Sequence, residues 1–359
     1  MKPTHRRGFS LVRVLAVLIP LAVILLIAFV PLRNQMATPP KDVNSEAWAQ
    51  LFKLDLDARV DNRLDPRFAD KDQNLVADPP TDPGDFVDPD ILTFCYIPDD
   101  DDEATIAAWD PLLQALSAAT GREVRYMPLN SAEAQLQSLA NGSLHIAGLN
   151  TGAVPVAVNL AGFVPVAKLP GIDGSGIYTS QVIVPATSPI QSVEQLRGTE
   201  IMLTHPRSNS GYKAPVVLLS DDYDLQPGRD YQVRISGSHY ASILSIAQDA
   251  ADAAAVASDL LTREVNEGTI SPDSYRVVYT SPSFPTACIG FVYNLDPSLA
   301  SAIEETLMEF DWIGSELVGQ ISTGDEPTMF APVDYMNDWA LIRQIDDKTG
   351  NQHRIQTDG

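Results

Sequence analysis

The stretch Thr204-His205-Pro206-Arg207-Ser208-Asn209-Ser210-Gly211-Tyr212 sets three consecutive small polar side chains, Ser208 to Ser210, directly before a glycine. It falls between a strand predicted over Glu200–Leu203 and a helix predicted from Lys213. Hydroxyls and the amide hydrogens that a helix start leaves unused would converge there. The helix dipole adds about half a positive charge at the same point, which matches a tetrahedral oxyanion. Pro215 fits a first helical turn. A second turn of the same kind, Ser236-Gly237-Ser238-His239, follows the next predicted strand, Tyr231–Ile235. It offers another hydroxyl, more amides and an imidazole. Each turn alone also reads as an ordinary capped helix, with Ser238 as the cap. Two such starts after successive strands point to one shared anion.

Other chemistries find less support. The five histidines, His5, His145, His205, His239 and His353, never fall at metal-ligand spacing on one helix. Neither a Gly-x-Ser-x-Gly elbow nor a P-loop lysine occurs. Asp70, Asp72, Asn74 and Asp78 alternate as in a calcium loop, but Leu75 stands where such loops place glycine and no glutamate closes the site. A solvated acidic stretch is the competing reading, as it is for Asp99–Asp102. No metal or cofactor is expected. A hydrolase using Ser208 with His205 or His239 stays open. The net charge of -23, from 24 basic and 47 acidic residues, would repel nucleic acid. Cys95 and Cys288 exclude a disulfide scaffold and leave one bridge or two buried thiols as alternatives.

The elements that must carry these turns alternate in type. Strands are predicted at Ile91–Ile97, Val124–Met127 and Leu144–Leu149, with helices over Thr105–Thr120 and from Ser131 to Ala140. Strand Tyr178–Val184 and a capped helix Ser192–Leu196 precede the first turn. After the second come helix Tyr240–Ala247, strand Asp252–Ala257, helix Asp259–Asn266, strands Arg276–Tyr279 and Ile289–Tyr293, and helix Ser298–Phe310. This rhythm implies an α/β fold of two lobes, each a largely parallel sheet flanked by helices. Ligands bind such lobes at the carboxyl ends of the strands.

Ahead of the lobes, Lys2, Arg6, Arg7 and Arg13 precede an uncharged apolar run from Val14 to Leu32. Its length suits one membrane crossing and its flanking charge keeps the amino terminus cytoplasmic. An uncleaved anchor is favoured over a cleaved signal, because no Ala-x-Ala site clearly follows. Repeated prolines and aspartates from residue 33 to 90 read as a spacer.

Six segments in order carry a resemblance: Gly174 to Val184, Ser192–Gly198, Ser208–Tyr212, Gly237–His239, Ala251–Val256 and Ser281–Pro285. Together they resemble the phosphate/phosphite/phosphonate-binding periplasmic proteins of ABC transporters, from about Leu92 to about Phe310. The resemblance implies a type II periplasmic-binding-protein fold, with lobe 1 at residues 91–180 and 287–345, lobe 2 at 181–286 and a polar tail at 346–359. It assigns the phosphorus oxygens to Ser208, Asn209, Ser210 and His239, with Tyr178 and the Tyr96 loop as cleft walls, and Gly211 and Ser238 of the two turns complete the expected ligand-binding set. Asn209 replaces the threonine usual in the family. Asp259 matches a carboxylate that aminophosphonate binders place on the ligand ammonium, but Ala287 stands where they have a second. The implied protein is a monomeric, non-enzymatic, extracytoplasmic binding component that hands phosphate, phosphite or a simple phosphonate to a permease. A membrane-tethered sensor, and a binder of sulfonates or thiamine-like pyrimidines, remain alternatives on the same fold.

Overall fold

The computed structural model describes residues 64–96, 106–171, 174–312, 317 and 329–349. The expected segments at 1–13 and 14–32 and the Asp99–Asp102 run lie outside these residues. Among the described residues, no helix is long and apolar enough to cross a membrane.

Two sheets carry the fold. The first is built from β1 (Ile91–Tyr96), β2 (Glu123–Tyr126), β3 (Ile146–Leu149), β4 (Phe163–Lys168), β10 (Cys288–Val292) and β11 (Ala331–Pro332), in the order β11-β4-β10-β3-β1-β2. The second holds β5 (Ile177–Pro185), β6 (Glu200–Leu203), β7 (Gln232–Ile235), β8 (Ala253–Ala257) and β9 (Tyr275–Pro285), in the order β7-β6-β8-β5-β9. The chain leaves the first sheet after β4 and returns through Thr286 and Ala287 into β10.

The expectation of largely parallel sheets is corrected. β1 pairs in parallel with β2 and β3, and β6 with β7 and β8, but β4, β5, β9, β10 and β11 make only antiparallel pairs. β5 and β10 enter from the other lobe without a crossover helix, so nothing turns them parallel to their neighbours. β9 also runs past the predicted end at Tyr279, through Pro282 to Pro285. It is an edge strand, where a missing amide hydrogen costs no ladder bond on the open side.

Helices form where local signals specify them. Pro111 sits in the first turn of α1 (Asp110–Thr120), and Ser131 caps α2 (Ala132–Ala140) by accepting the Ala134 amide at 3.2 Å. Helix α3 (Val154–Ala161) follows β3. In the second lobe α4 (Ala214–Tyr223), α5 (His239–Ala247) and α6 (Ser258–Asn266) follow β6, β7 and β8. The segment expected as a helix at 192–196 is a single tight turn, Val193–Leu196. Helix α7 (Pro297–Glu309) packs on the first sheet, and α8 (Tyr335–Asp338) and α9 (Ala340–Lys348) follow. Leu92, Phe94, Trp109, Leu116, Ile146 and Ile303 are buried in the first lobe, and Ile183, Ile243, Ile246 and Val256 in the second.

The described part of the expected spacer, 64–90, is docked and not free. Asp65 donates its amide to Asn159 Oδ1 at 2.9 Å, and Phe68 packs edge-on against Tyr293 with ring centroids 4.9 Å apart. Val87 exchanges backbone hydrogen bonds with Asn294 and Asp296. The acidic loop within it spends its oxygens on its own amides: Asp70 accepts from Asn74 and Leu75, Asn74 Oδ1 from Val76, and Asp78 from Lys71. Among the described residues no cluster of three or more His, Cys, Asp or Glu could hold a metal ion. Cys95 and Cys288 are both free and buried, and they sit on strands that flank β3 on opposite sides. That places them two strand spacings apart, beyond disulfide reach. Burial pushes both thiols above their ordinary value.

Candidate oxyanion site

At the carboxyl end of β6 the chain closes a loop on itself, Thr204 donating its amide to the Gly211 carbonyl at 2.9 Å. Gly211 is required by this approach, since a Cβ there would fall 2.1 Å from Thr204 Oγ1 and 2.5 Å from its Cγ2. Ser208 then begins the helical path. Its Oγ accepts the Gly211 amide at 3.1 Å, and the Lys213 amide reaches back five residues to the Ser208 carbonyl at 3.1 Å. This wide turn, Asn209–Lys213, runs directly into α4. The amides of Asn209 and Ser210 precede its first backbone bond and are among those that a helix start leaves without an intrahelical partner.

The second turn is tied to the first through the backbone. Ser236 donates its amide to Leu203 O at 2.8 Å and Gly237 to Thr204 O at 3.3 Å. Ser238 caps α5, its Oγ accepting the Ala241 amide at 3.1 Å, and His239 is the first residue of that helix. His239 Nδ1 accepts the Ala257 amide at 3.1 Å. The proton of the neutral ring therefore sits on Nε2, which donates to Ser208 Oγ at 3.3 Å. The two turns face each other. This tautomer also bears on the hydrolase alternative: a general base must offer the serine an unprotonated nitrogen, and here the nitrogen facing Ser208 carries the hydrogen.

The remaining second-lobe residues gather around the loop. Tyr178, on β5, accepts the Asn209 side-chain amide at 3.3 Å, and Ser180 Oγ donates to the Ser210 carbonyl at 2.6 Å. Burial pushes the Tyr178 phenol up to about 12, against the hydrogen bonds of Thr151, Asn209 and Ser210, so it stays protonated at neutral pH. Asp259 lies in the first turn of α6, its Oδ1 accepting the Leu260 amide at 2.9 Å, and its charge acts on the same phenol. Tyr96 ends β1 in the first lobe and packs its ring on Trp109 with centroids 4.7 Å apart.

Three participants were not foreseen. Gly152, in the β3–α3 turn of the first lobe, lies against the loop: a Cβ there would fall 2.4 Å from the Arg207 carbonyl and 3.1 Å from both Asn209 N and Lys213 Cε. Lys213 is 1% exposed and donates from Nζ to the Gly152 carbonyl at 3.0 Å and to Asp346 Oδ1. Asp346, placed at the head of a polar tail by sequence, lies fully buried in α9. Asn150-Thr151-Gly152 is one more small polar turn between a strand and a helix, the same signal that marked the other two. At the rim Arg207 Nε meets Glu133 Oε1 at 3.1 Å, another contact between lobes.

Residues 94–335, more than half of the chain, match the family described as ABC transporter, phosphonate, periplasmic substrate-binding protein. The phosphate-import protein PhnD of Mycolicibacterium smegmatis is 23% identical over 203 residues, which span 54% of this chain and 63% of that relative's length. The fold is shared with the binding protein component of an ABC phosphonate transporter from Pseudomonas aeruginosa, at 19% identity and a TM-score of 0.60 over 74% of this chain and 89% of that one. It is shared too with PhnD1 of Prochlorococcus marinus in complex with methylphosphonate, at 15% identity and a TM-score of 0.62 over 74% and 100%. The chain belongs to the periplasmic substrate-binding proteins of phosphonate ABC transporters, with their type II fold.

Proposed function

We propose that this protein captures phosphate, phosphite or a simple phosphonate outside the cytoplasmic membrane and delivers it, as a monomer, to the permease of an ABC importer. The observation that carries this reading is the 3.3 Å contact between Ser208 Oγ and His239 Nε2, which joins two helix starts into one donor cluster. Amides of Asn209 and Ser210, hydroxyls of Ser208 and Ser210, and the imidazole N–H then offer hydrogens to one tetrahedral anion. A chain with a net charge of -23 repels anions at long range, so the donors must act at contact distance, where screening by salt is weakest. The apolar run at residues 14–32 serves in this reading as the tether.

Replacing both hydroxyls, Ser208→Ala with Ser210→Ala, is expected to weaken phosphate and methylphosphonate binding by more than about a hundredfold in calorimetric titration. Ser208 also caps the turn at Gly211, so the variant should lose about 1 kcal/mol of stability, a few degrees of melting temperature. Wild-type affinity in this variant would remove the site assignment.

The second expectation concerns charge on the ligand. Asp259 supplies one carboxylate near Tyr178, while residue 287 is alanine and uses its carbonyl to accept the Leu169 amide at 2.8 Å. One counter-charge already engaged by the Leu260 amide is a weak partner for an ammonium group. In competition titration 2-aminoethylphosphonate should bind within about tenfold of ethylphosphonate. A much larger preference for the amine would show that this site is built for a zwitterion.

A further inference from the structure

Asn209 is 3% exposed, and the two ends of its side-chain amide are treated differently. The nitrogen donates to Tyr178 Oη at 3.3 Å. The other end, Oδ1, is buried with no hydrogen-bond partner. Native interiors rarely leave such an oxygen unpaired unless a ligand, ion or water completes it. The same turn and its neighbour otherwise carry donors: the first-turn amides of Asn209 and Ser210, and the Nε2–H of His239 directed at Ser208. A carbonyl among those donors is of no use to a fully ionised oxyanion, because it would set lone pair against lone pair. It suits an oxyanion that carries a hydrogen on one oxygen.

We propose that Asn209 Oδ1 is a specificity-determining acceptor that takes the hydrogen of a P–OH group, so that the site selects protonated phosphorus oxyanions and rejects sulfate. This rests on the oxyanion reading above and adds to it the protonation state of the ligand. Phosphate keeps at least one P–OH across the neutral range, whereas sulfate has none. An alkylphosphonate or phosphite has one only below its second ionisation. Leaving a buried acceptor unpaired costs about ten- to a hundredfold in affinity. Two classes of ligand with the same shape and nearly the same charge are thereby separated by one hydrogen.

The test is calorimetric titration of phosphate, sulfate and methylphosphonate into the wild type, Asn209→Thr and Asn209→Asp, at mildly acidic and mildly alkaline pH, with melting curves for each protein. The wild type should prefer phosphate over sulfate by about a hundredfold or more. Methylphosphonate should lose about tenfold in affinity as pH rises through its second ionisation, while phosphate loses much less; the difference between the two removes titration of the protein itself. Asn209→Thr places a hydroxyl that can donate as well as accept, so sulfate should come within about tenfold of phosphate and the methylphosphonate pH dependence should flatten. Asn209→Asp keeps an acceptor of the same shape and should retain the preference for phosphate over sulfate, even with weaker binding of both. Equal binding of sulfate and phosphate by the wild type, or an unchanged ratio in Asn209→Thr, overturns the assignment of Asn209 alone. Failure of every oxyanion to bind overturns the oxyanion site and this inference with it.

Discussion

Gly152→Val is expected to cost about a hundredfold or more in oxyanion affinity, roughly 2.7 kcal/mol, while the loss of the Lys213–Gly152 hydrogen bond lowers the melting temperature by a few degrees. The residue sits on the first lobe, and the atoms a side chain would strike belong to the second. A Cβ alone would lie 2.4 Å from the Arg207 carbonyl oxygen and 3.1 Å from Asn209 N. These are backbone atoms of the loop that holds Ser208 and Asn209, and they cannot swing aside as the end of a flexible side chain can. Each lobe has its own sheet and core, so the strain is expected to part the lobes at this contact rather than unfold either one, at the cost of the Lys213–Gly152 hydrogen bond. On the proposed reading, a cleft held open keeps the second-lobe donors but loses the water exclusion that the first lobe provides. Titration gives the affinity, and small-angle scattering should report a protein that no longer compacts on adding phosphate. Wild-type affinity with normal compaction would mean that the lobes do not meet at Gly152 in solution.

The donor cluster was legible because its signals are local. Small polar residues and glycine between a strand and a helix mark a helix start, and successive strands of one sheet bring successive helix starts to the same edge. Ser208 and His239 therefore stand together, as the spacing implied. What escaped was set by partners far along the chain. Gly152 looks like any turn glycine until the second lobe's loop is laid across it. Asp346 lies in a window of polar residues, yet Trp339 at the cap and Ile342 and Ile345 within α9 form a buried stripe at three-residue spacing. The docked segment at 64–90 is anchored by isolated apolar residues, Leu64, Phe68 and Ala77, in irregular backbone without a period to detect. Strand β9 hid behind Pro282, because only the sheet order reveals that its open edge can tolerate proline.

Asp346→Ala is expected to be the most destabilising of these substitutions, by about 3–5 kcal/mol against a total that in most proteins is only about 5–15 kcal/mol. The aspartate is fully buried and Lys213 is 1% exposed, so its removal strands an ammonium group in a dry interior with the Gly152 carbonyl as its other partner. Lys213→Met should cost a similar amount by stranding the carboxylate, whose Oδ2 already lacks a hydrogen-bond partner. The pair itself contributes far less than either loss suggests, because burying two charges costs nearly what their attraction returns. Lys213→Met combined with Asp346→Leu should therefore recover most of the stability in chemical denaturation. Position is a separate matter. The pair joins α9, the β3–α3 turn and the end of the Asn209–Lys213 turn, and the apolar replacements fill the space without donating to Gly152. The repaired double variant should unfold nearly like the wild type yet bind phosphate about tenfold more weakly. Additive losses in the double variant would show that the two residues do not interact. Full affinity in a stable double variant would show that the pair supports the fold and leaves the loop's geometry to its neighbours.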